Sequence, residues 1–195
     1  MSFFRVWLMG YVNPARMVEA LEGKPAPHWG VYGQVGRALL DALLPYLPLW
    51  LMGREPSTPS YLTFLSTARY YGALVILAPA VLLVQWLFLS AAVHVILRLS
   101  GRESDVDQIM NLTGMAALVV GAGLVAWDWV WIGMGWENAV WLGVSHLLIV
   151  IWWSVITVLG FKRVLGVPVW AGIVLNVVWV ILGLPLAMVF MRAPV

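Results

Sequence analysis

The chain has 195 residues, of which 63% are hydrophobic and only 10% are charged. A soluble globular domain carries about 25% charged residues, so this composition excludes a protein whose whole surface faces water. Thirteen tryptophans, eighteen glycines and eleven prolines beside so little charge indicate a protein that crosses a membrane several times. The net charge of +2 is too small and too scattered for a nucleic-acid partner. The lack of cysteine excludes disulfides and thiolate metal sites.

The first 32 residues are predicted to form a cytoplasmic, amphipathic segment at the membrane interface. Apolar and aromatic side chains between Phe3 and Tyr11 favour a stretch of chain that lies along the bilayer surface. A short helix is expected over residues 17–23 (MVEALEG).

Four stretches of the chain lack charge over a length sufficient to cross a bilayer. An ionised side chain at the bilayer centre costs roughly 3 kcal/mol, and a spanning helix needs about 20 apolar residues. These stretches predict transmembrane helices over residues 70–98, 111–133, 138–161 and 167–191.

A fifth span is predicted over residues 33–53, although this segment contains Arg37 and Asp41. These two residues are four positions apart, so they can pair on one face of a helix. Pro45 and Pro48 are tolerated where a helix is enclosed by other helices. The alternative is a helix that lies on the membrane surface. The predicted fold is therefore an all-α, polytopic membrane bundle: a short interfacial segment over 1–32, then five transmembrane helices over 33–195.

The basic residues predict the orientation of this bundle. Five spans place seven of them on one side of the membrane and three on the other, and the richer side is expected to be cytoplasmic. The richer side holds Arg5, Arg16, Lys24, Arg98, Arg102, Lys162 and Arg163; the other holds Arg54, Arg69 and Arg192. We therefore expect a multi-pass protein of the cell inner membrane, with a cytoplasmic N-terminus and a C-terminus outside.

Several short motifs along the chain resemble those of the Yip family (Ypt/Rab-interacting proteins) in its bacterial branch. His94, Arg98 and Gly101 surround the end of the second predicted span, and Asn13-Pro14 precedes a short amphipathic helix. Further matching positions are Trp152, Trp153, Gly160, Gly166 and Pro168. The chain departs from the family at Arg102, which replaces a second glycine, and at Asn111-Leu-Thr-Gly114, which lacks the usual Tyr and Pro.

The resemblance implies five membrane helices with a cytoplasmic N-terminus, in agreement with the charge pattern. Eukaryotic relatives bind small GTPases and one another in vesicle traffic, a role that does not carry over to a bacterial cell. The bacterial branch has no assigned chemistry, so the resemblance implies no catalytic role for any residue of this chain.

Asp128 and His146 are the candidate polar pair inside the membrane. The tight hairpin over residues 133–137 makes the third and fourth spans antiparallel, and this places the two side chains at a similar depth. Two interpretations stay open, namely a proton-linked site and a polar clamp between helices. A haem or metal shared by His94 and His146 is disfavoured, because their depths differ by about 10–15 Å.

Small residues of the third span predict a close helix contact. Gly114, Ala117 and Gly121 lie on neighbouring faces, and small side chains let helix backbones approach. The contact could lie within the bundle or with another chain. Gln85, Ser90 and Asn176 are isolated polar residues that could form hydrogen bonds between helices.

The first functional hypothesis is a non-enzymatic protein of Yip type that organises a membrane complex or serves as its accessory subunit. Its expected partners are the lipid bilayer and other membrane chains, either copies of itself or different proteins. The alternative is a small transporter or channel with a polar site around Asp128 and His146, extended by Gln85 and Asn176. No cofactor, metal or catalytic residue is predicted, because the chain contains no phosphate-binding glycine loop and no hydrolase or metalloprotease motif.

Overall fold

A computed structural model describes residues 1–24, 26–56 and 61–190, and over these ranges the chain is helical and contains no strand. The helices are α1 (Phe3–Val12), α2 (Pro14–Leu21), α3 (His28–Asp41), α4 (Leu47–Leu51), α5 (Tyr70–Leu99), α6 (Val106–Gly133), α7 (Ala139–Val164) and α8 (Val169–Phe190). A π-helical turn over Ala42–Tyr46 joins α3 to α4, and a 3₁₀ turn over Thr67–Arg69 precedes α5.

Four of these helices are long and apolar enough to cross a membrane, as expected for a multi-pass protein. They are α5 with its preceding turn, α6, α7 and α8. They coincide with the four uncharged stretches, and each begins within a few residues of its predicted start. Residue 191, where the last predicted span ends, and Arg192 lie outside the described residues.

The helical segment that contains Arg37 and Asp41 starts at His28, ahead of the predicted start at residue 33. The backbone stays in the right-handed helical region through the π turn, so α3 and α4 form one helical rod of about 36 Å. The turn has a chemical reason, since Pro45 and Pro48 lack the N–H groups of a regular α-helix. The Leu44 carbonyl, which cannot accept from Pro48, accepts instead from Trp129 Nε1 at 3.2 Å.

The backbones of α3 and α6 run parallel and touch. Gly30 faces the backbone of Met110 and Asn111, and Gly33 faces that of Gly114, so a side chain at any of these glycines would collide with the opposite helix. The buried Asn111 side chain fixes this contact. Its Oδ1 accepts from the Gly30 N–H, and its Nδ2 donates to the Ala26 carbonyl, each at 2.9 Å.

Five helical segments form a ring in the order α3, α5, α8, α7, α6, and each contacts the next. Helix α6 is the most buried of the four long helices. We call the end of the ring where α6 begins the basic end, because Lys24, Arg98 and Arg163 lie in or beside its loops. We call the other end, where α6 ends, the tryptophan end, after Trp127, Trp129, Trp131, Trp136 and Trp141.

The N-terminal segment forms two helices, α1 and α2, in place of the single short helix expected over 17–23. Both pack on the outside of the ring against α6 and α7. Val6, Met17 and Val18 are fully buried there. The Tyr11 hydroxyl donates to the Val119 carbonyl, and Trp152 Nε1 donates to the Gly10 carbonyl, both at 2.8 Å.

Asn13 and Pro14, two of the family-motif residues, are explained by the start of α2. The Asn13 side chain accepts from the Arg16 N–H at 3.1 Å and caps the helix. Pro14 occupies the first helical position, where its missing N–H costs nothing.

We expect the substitution Gly114→Ala to destabilise the protein by about 1–3 kcal/mol, because the added methyl group meets the Gly30 carbonyl across the α3–α6 contact. Gly143→Ala in α7 is the matched control, since nothing lies within 4 Å of a methyl group there. It should be neutral or slightly stabilising. Unfolding of the purified chains in detergent measures both effects, and equal stabilities of the two variants would contradict the contact.

Candidate functional site

Arg37 and Asp41 of α3 form an ion pair inside the ring. Arg37 Nη1 lies 2.9 Å from Asp41 Oδ1, and their side chains are only 13% and 6% exposed. The Arg37 side chain passes over Gly121 of α6, which has no side chain to obstruct it. Gly121 was predicted as a packing residue, and its neighbour is a charged side chain of the same chain.

The structure also brings together Asp128 of α6 and His146 of α7. Asp128 Oδ1 lies 2.8 Å from His146 Nε2, with side-chain exposures of 14% and 30%. The adjacent residues connect the same two helices, since Trp127 Nε1 donates to Ser145 Oγ at 2.7 Å. The hairpin geometry alone predicts this contact.

The two pairs belong to one charged cluster, which we define as Arg37, Asp41, Asp128 and His146. Asp41 lies within electrostatic reach of both Asp128 and His146. The cluster therefore joins three helices of the ring. Asp128 is five residues from the end of α6, or roughly 7 Å, whereas Arg37 lies beside Gly121, roughly 18 Å from that end. The cluster thus extends from near the tryptophan end to the middle of the bundle.

A cavity of about 260 Å³ lies in the middle of the ring, next to Arg37. All five ring segments contribute to its wall, which is mainly apolar and includes Trp86, Trp153 and Trp179. Arg37 is the one charged residue among those that line it. The cavity therefore combines an aromatic wall with a single guanidinium.

Hydrogen bonds hold the polar residues around this cavity. Gln34 Nε2 donates to the Leu82 carbonyl at 3.1 Å, and Gln85 Nε2 donates to the Gly183 carbonyl at 2.9 Å. Towards the basic end, Trp86 Nε1 donates to Thr113 Oγ1 at 2.9 Å, and Ser90 Oγ lies 3.4 Å from the same atom. The last two contacts tie α5 to α6 on the side of the cavity that faces the basic end.

The other family-motif residues lie at the basic end, away from the cluster. His94 Nδ1 is 3.0 Å from Ser104 Oγ and connects α5 to the polar loop. Arg98 lies in the last turn of α5. Gly101 has a φ of 71°, and the Arg102 N–H bonds back to the Leu97 carbonyl at 3.0 Å, so glycine is required there to end the helix.

The remaining predicted residues divide between packing and burial. Gly114 contacts α3, Ala117 lines the cavity, and Asn176 of α8 is buried, with no hydrogen bond to its Oδ1 from the described residues. No group of three or more His, Asp or Glu side chains within the described ranges could hold a metal ion.

Sequence reasoning missed that Arg37 and Asp41 join Asp128 and His146, and it missed Gln34. The available signal was the glycine spacing Gly30-x-x-Gly33, which permits a close contact with Gly114 and thereby sets the height of Arg37 in the bundle.

Over the residues that the structure describes, the fold is all-helical and includes four helices of membrane-spanning length. No protein-family model matches it, and none of the curated proteins or solved structures compared with it gives a significant match. The resemblance to the Yip family therefore stays a prediction from short motifs.

A double-mutant cycle tests the coupling of Asp128 and His146. Asp128→Leu leaves the imidazole without its partner and should destabilise by about 1–3 kcal/mol, whereas Asp128→Asn retains a hydrogen-bonding shape and should cost less. His146→Ala should not be additive with Asp128→Leu, and the coupling expected for such a bond in a membrane protein is about 0.6 kcal/mol.

Unfolding in detergent measures each variant of this cycle. Glu137→Leu provides a control in the same hairpin, because Glu137 is exposed and should add independently to His146→Ala. Additive losses for the Asp128 cycle would show that the two residues do not interact.

Proposed function

We propose that this chain is a small proton-linked transporter of the cell inner membrane, with five spans and with the charged cluster as its polar intramembrane site. The supporting observation is the position of two partly buried charge pairs, on three different helices, between a central cavity and one end of the bundle. Ionisable side chains inside membrane bundles commonly mark ion or substrate routes.

The fifth span in this proposal is the rod from His28 to Leu51. Its length of about 36 Å exceeds the roughly 30 Å of hydrocarbon. It runs parallel to α6 along a shared contact, from Gly30 beside Asn111 to Arg37 beside Gly121. Its two charges pair with each other within the ring, which reduces the cost of placing them there.

The distribution of basic residues supports a cytoplasmic basic end. Lys24, Arg98, Arg102, Lys162 and Arg163 lie there, whereas Arg54 and Arg69 are the described basic residues towards the opposite end. The tryptophans at that opposite end suit the outer membrane interface. With five spans the N-terminus is cytoplasmic and the C-terminus is outside.

Charge counting supports a proton-holding role for the cluster. If both carboxylates are ionised and His146 is neutral, the single cation Arg37 leaves a net charge of −1. Net charge inside a bilayer is costly, so the cluster is balanced when it holds one proton. His146 is the most exposed member, at 30%, and lies towards the tryptophan end, so it is suited to exchange that proton with water.

A Yip-type organiser or accessory subunit has less support from the geometry. Of the two contacts left open for the small residues of α6, the one within this chain is observed, since Gly114 packs on α3, Gly121 accommodates Arg37, and Ala117 lines the cavity. That hypothesis, with its other membrane chains as partners, depends on the motif resemblance alone.

The five-span topology predicts the location of fused reporters. A reporter after Val195 should read outside, and one placed within residues 100–108 should read cytoplasmic. A periplasm-active enzyme and a cytoplasm-active fluorescent protein, fused at the same two positions, provide reciprocal controls. Reporters at the N- and C-termini that read the same side would refute the five-span proposal.

Proton movement tests the transport proposal. Vesicles that contain the purified chain and an enclosed pH-sensitive dye should acidify faster than protein-free vesicles after the external pH is lowered. Asp128→Asn should reduce this rate to that of protein-free vesicles, because it removes a proton acceptor of the cluster. Glu137→Gln, an exposed change nearby, should leave the rate unchanged. A wild-type rate in the Asp128→Asn variant would refute the role of the cluster.

A further inference from the structure

We propose that the central cavity binds a small aromatic carboxylate, with the carboxylate on Arg37 and the ring among the cavity tryptophans. This inference rests on the proposed transport function and names the class of its substrate. It is carried by the cavity wall and by the unused hydrogen-bonding capacity of Arg37.

Arg37 has more donors than the structure uses. A guanidinium carries five N–H groups in a planar fork. Its nearest partner is Asp41 Oδ1, 2.9 Å from Nη1, but the N–H does not point at that oxygen in the manner of a hydrogen bond. Within the described part of the chain the guanidinium makes no directed hydrogen bond. Nη1 itself is buried beside Asp41, so a carboxylate in the cavity would be bound by the remaining N–H groups of the guanidinium, whose planar fork suits carboxylate oxygens.

The apolar residues of the cavity wall favour a ligand with an aromatic ring. Trp86, Trp153 and Trp179 present large apolar ring surfaces, and Leu82 and Val120 lie among them. A volume of about 260 Å³ lies just below the usual range for small-molecule sites, roughly 300–1,000 Å³, so it suits a single substituted ring and not a lipid with two chains. An organic cation would be repelled by the positive charge of Arg37. A neutral ring would provide no negative group to bind the guanidinium.

Charge balance links this binding to proton uptake. The cluster is neutral with one proton, so the arrival of a monoanion restores a net charge of −1 unless a second proton enters. Protons can be held by His146 and by the carboxylates of Asp41 and Asp128. The cluster and its anion are then neutral together, and the ligand crosses with its proton as a neutral acid. The charged and titratable side chains that lie near Asp41 or near its neighbour Tyr46 are Arg37, Tyr70, Tyr71, Asp128 and His146.

Calorimetric titration of the full chain in detergent with benzoate, benzyl alcohol and benzylamine tests the ligand class. Benzoate should bind at least about tenfold more tightly than benzyl alcohol, since the alcohol lacks a charge for Arg37. Benzylamine should not bind. Titrations of benzoate in buffers of different ionisation enthalpy should show uptake of about one proton per ligand. No binding of benzoate, or equal binding of benzyl alcohol, would overturn the proposal.

Two variants test whether benzoate binds in this cavity. Arg37→Gln combined with Asp41→Asn removes both charges together, so no unpaired charge stays buried, and Ala117→Leu fills part of the cavity without changing any charge. Each should weaken benzoate binding by at least about tenfold, whereas Arg54→Gln, outside the ring, should leave it unchanged. Melting curves establish that each variant is folded. Wild-type affinity in a folded Ala117→Leu variant would overturn the cavity as the site.

The outcomes separate this inference from the transport proposal. Benzoate binding with no proton movement beyond that of protein-free vesicles, either with or without added benzoate, supports the site and refutes transport. Proton movement without benzoate binding refutes the substrate class and leaves the transport proposal standing.

Discussion

The close approach of the α3 and α6 backbones is the contact on which the rest of the bundle depends. Three glycines leave the two helices without side chains between them, and Asn111 bonds across the gap at both its oxygen and its nitrogen. Because the helices are parallel and in a fixed register, this contact also sets the heights of Arg37 and Asp41 relative to Asp128. A wider separation would leave two charges of α3 inside the bundle without the neighbours that make their burial tolerable.

The two ion pairs depend on one another in a similar way. Each pair places opposite charges in an apolar bundle, and the removal of these charges from water has a considerable free-energy cost. When His146 is neutral, Asp128 has no cation of its own among the described residues, and the charge of Arg37 is the nearest one that can offset the two carboxylates of the cluster. Under the proposed function such an arrangement would hold a proton, whereas a single pair would only clamp two helices, and this is the physical difference between the two interpretations of Asp128 and His146.

Much of the helical architecture is predictable from the sequence, because an ionised side chain in the bilayer has a high free-energy cost, and a stretch of about 20 residues without charge therefore marks a spanning helix. The four long helices follow from uncharged stretches alone. The contact of Asp128 with His146 follows from a tight hairpin, which fixes the register of two adjacent antiparallel helices. Arg37 and Asp41 could be expected to pair with each other on the same grounds, because their spacing of four is local.

The proximity of the Arg37–Asp41 pair to the Asp128–His146 pair could not be predicted from charge-free stretches or from local spacing. It depends on α3 and α6, which are separated by α5 along the chain and brought together by a backbone contact between glycines. The cavity also needs all five helical segments in place before it exists. The packing of the N-terminal helices on the ring was not predicted for a related reason, because Val6, Met17 and Val18 are buried against residues far along the chain.

The contact of α3 with α6 also has a consequence for the order in which the chain assembles during synthesis. When α3 leaves the ribosome, α6 does not yet exist, so α3 lacks the helix that faces its glycines. Its stable partner arrives some 80 residues later, since Gly30 bonds to Asn111. The partner of α1 is synthesised later still, because the Gly10 carbonyl accepts a hydrogen bond from Trp152 of α7. The helices α1 and α2 can therefore make their final contacts only after α7 has been synthesised.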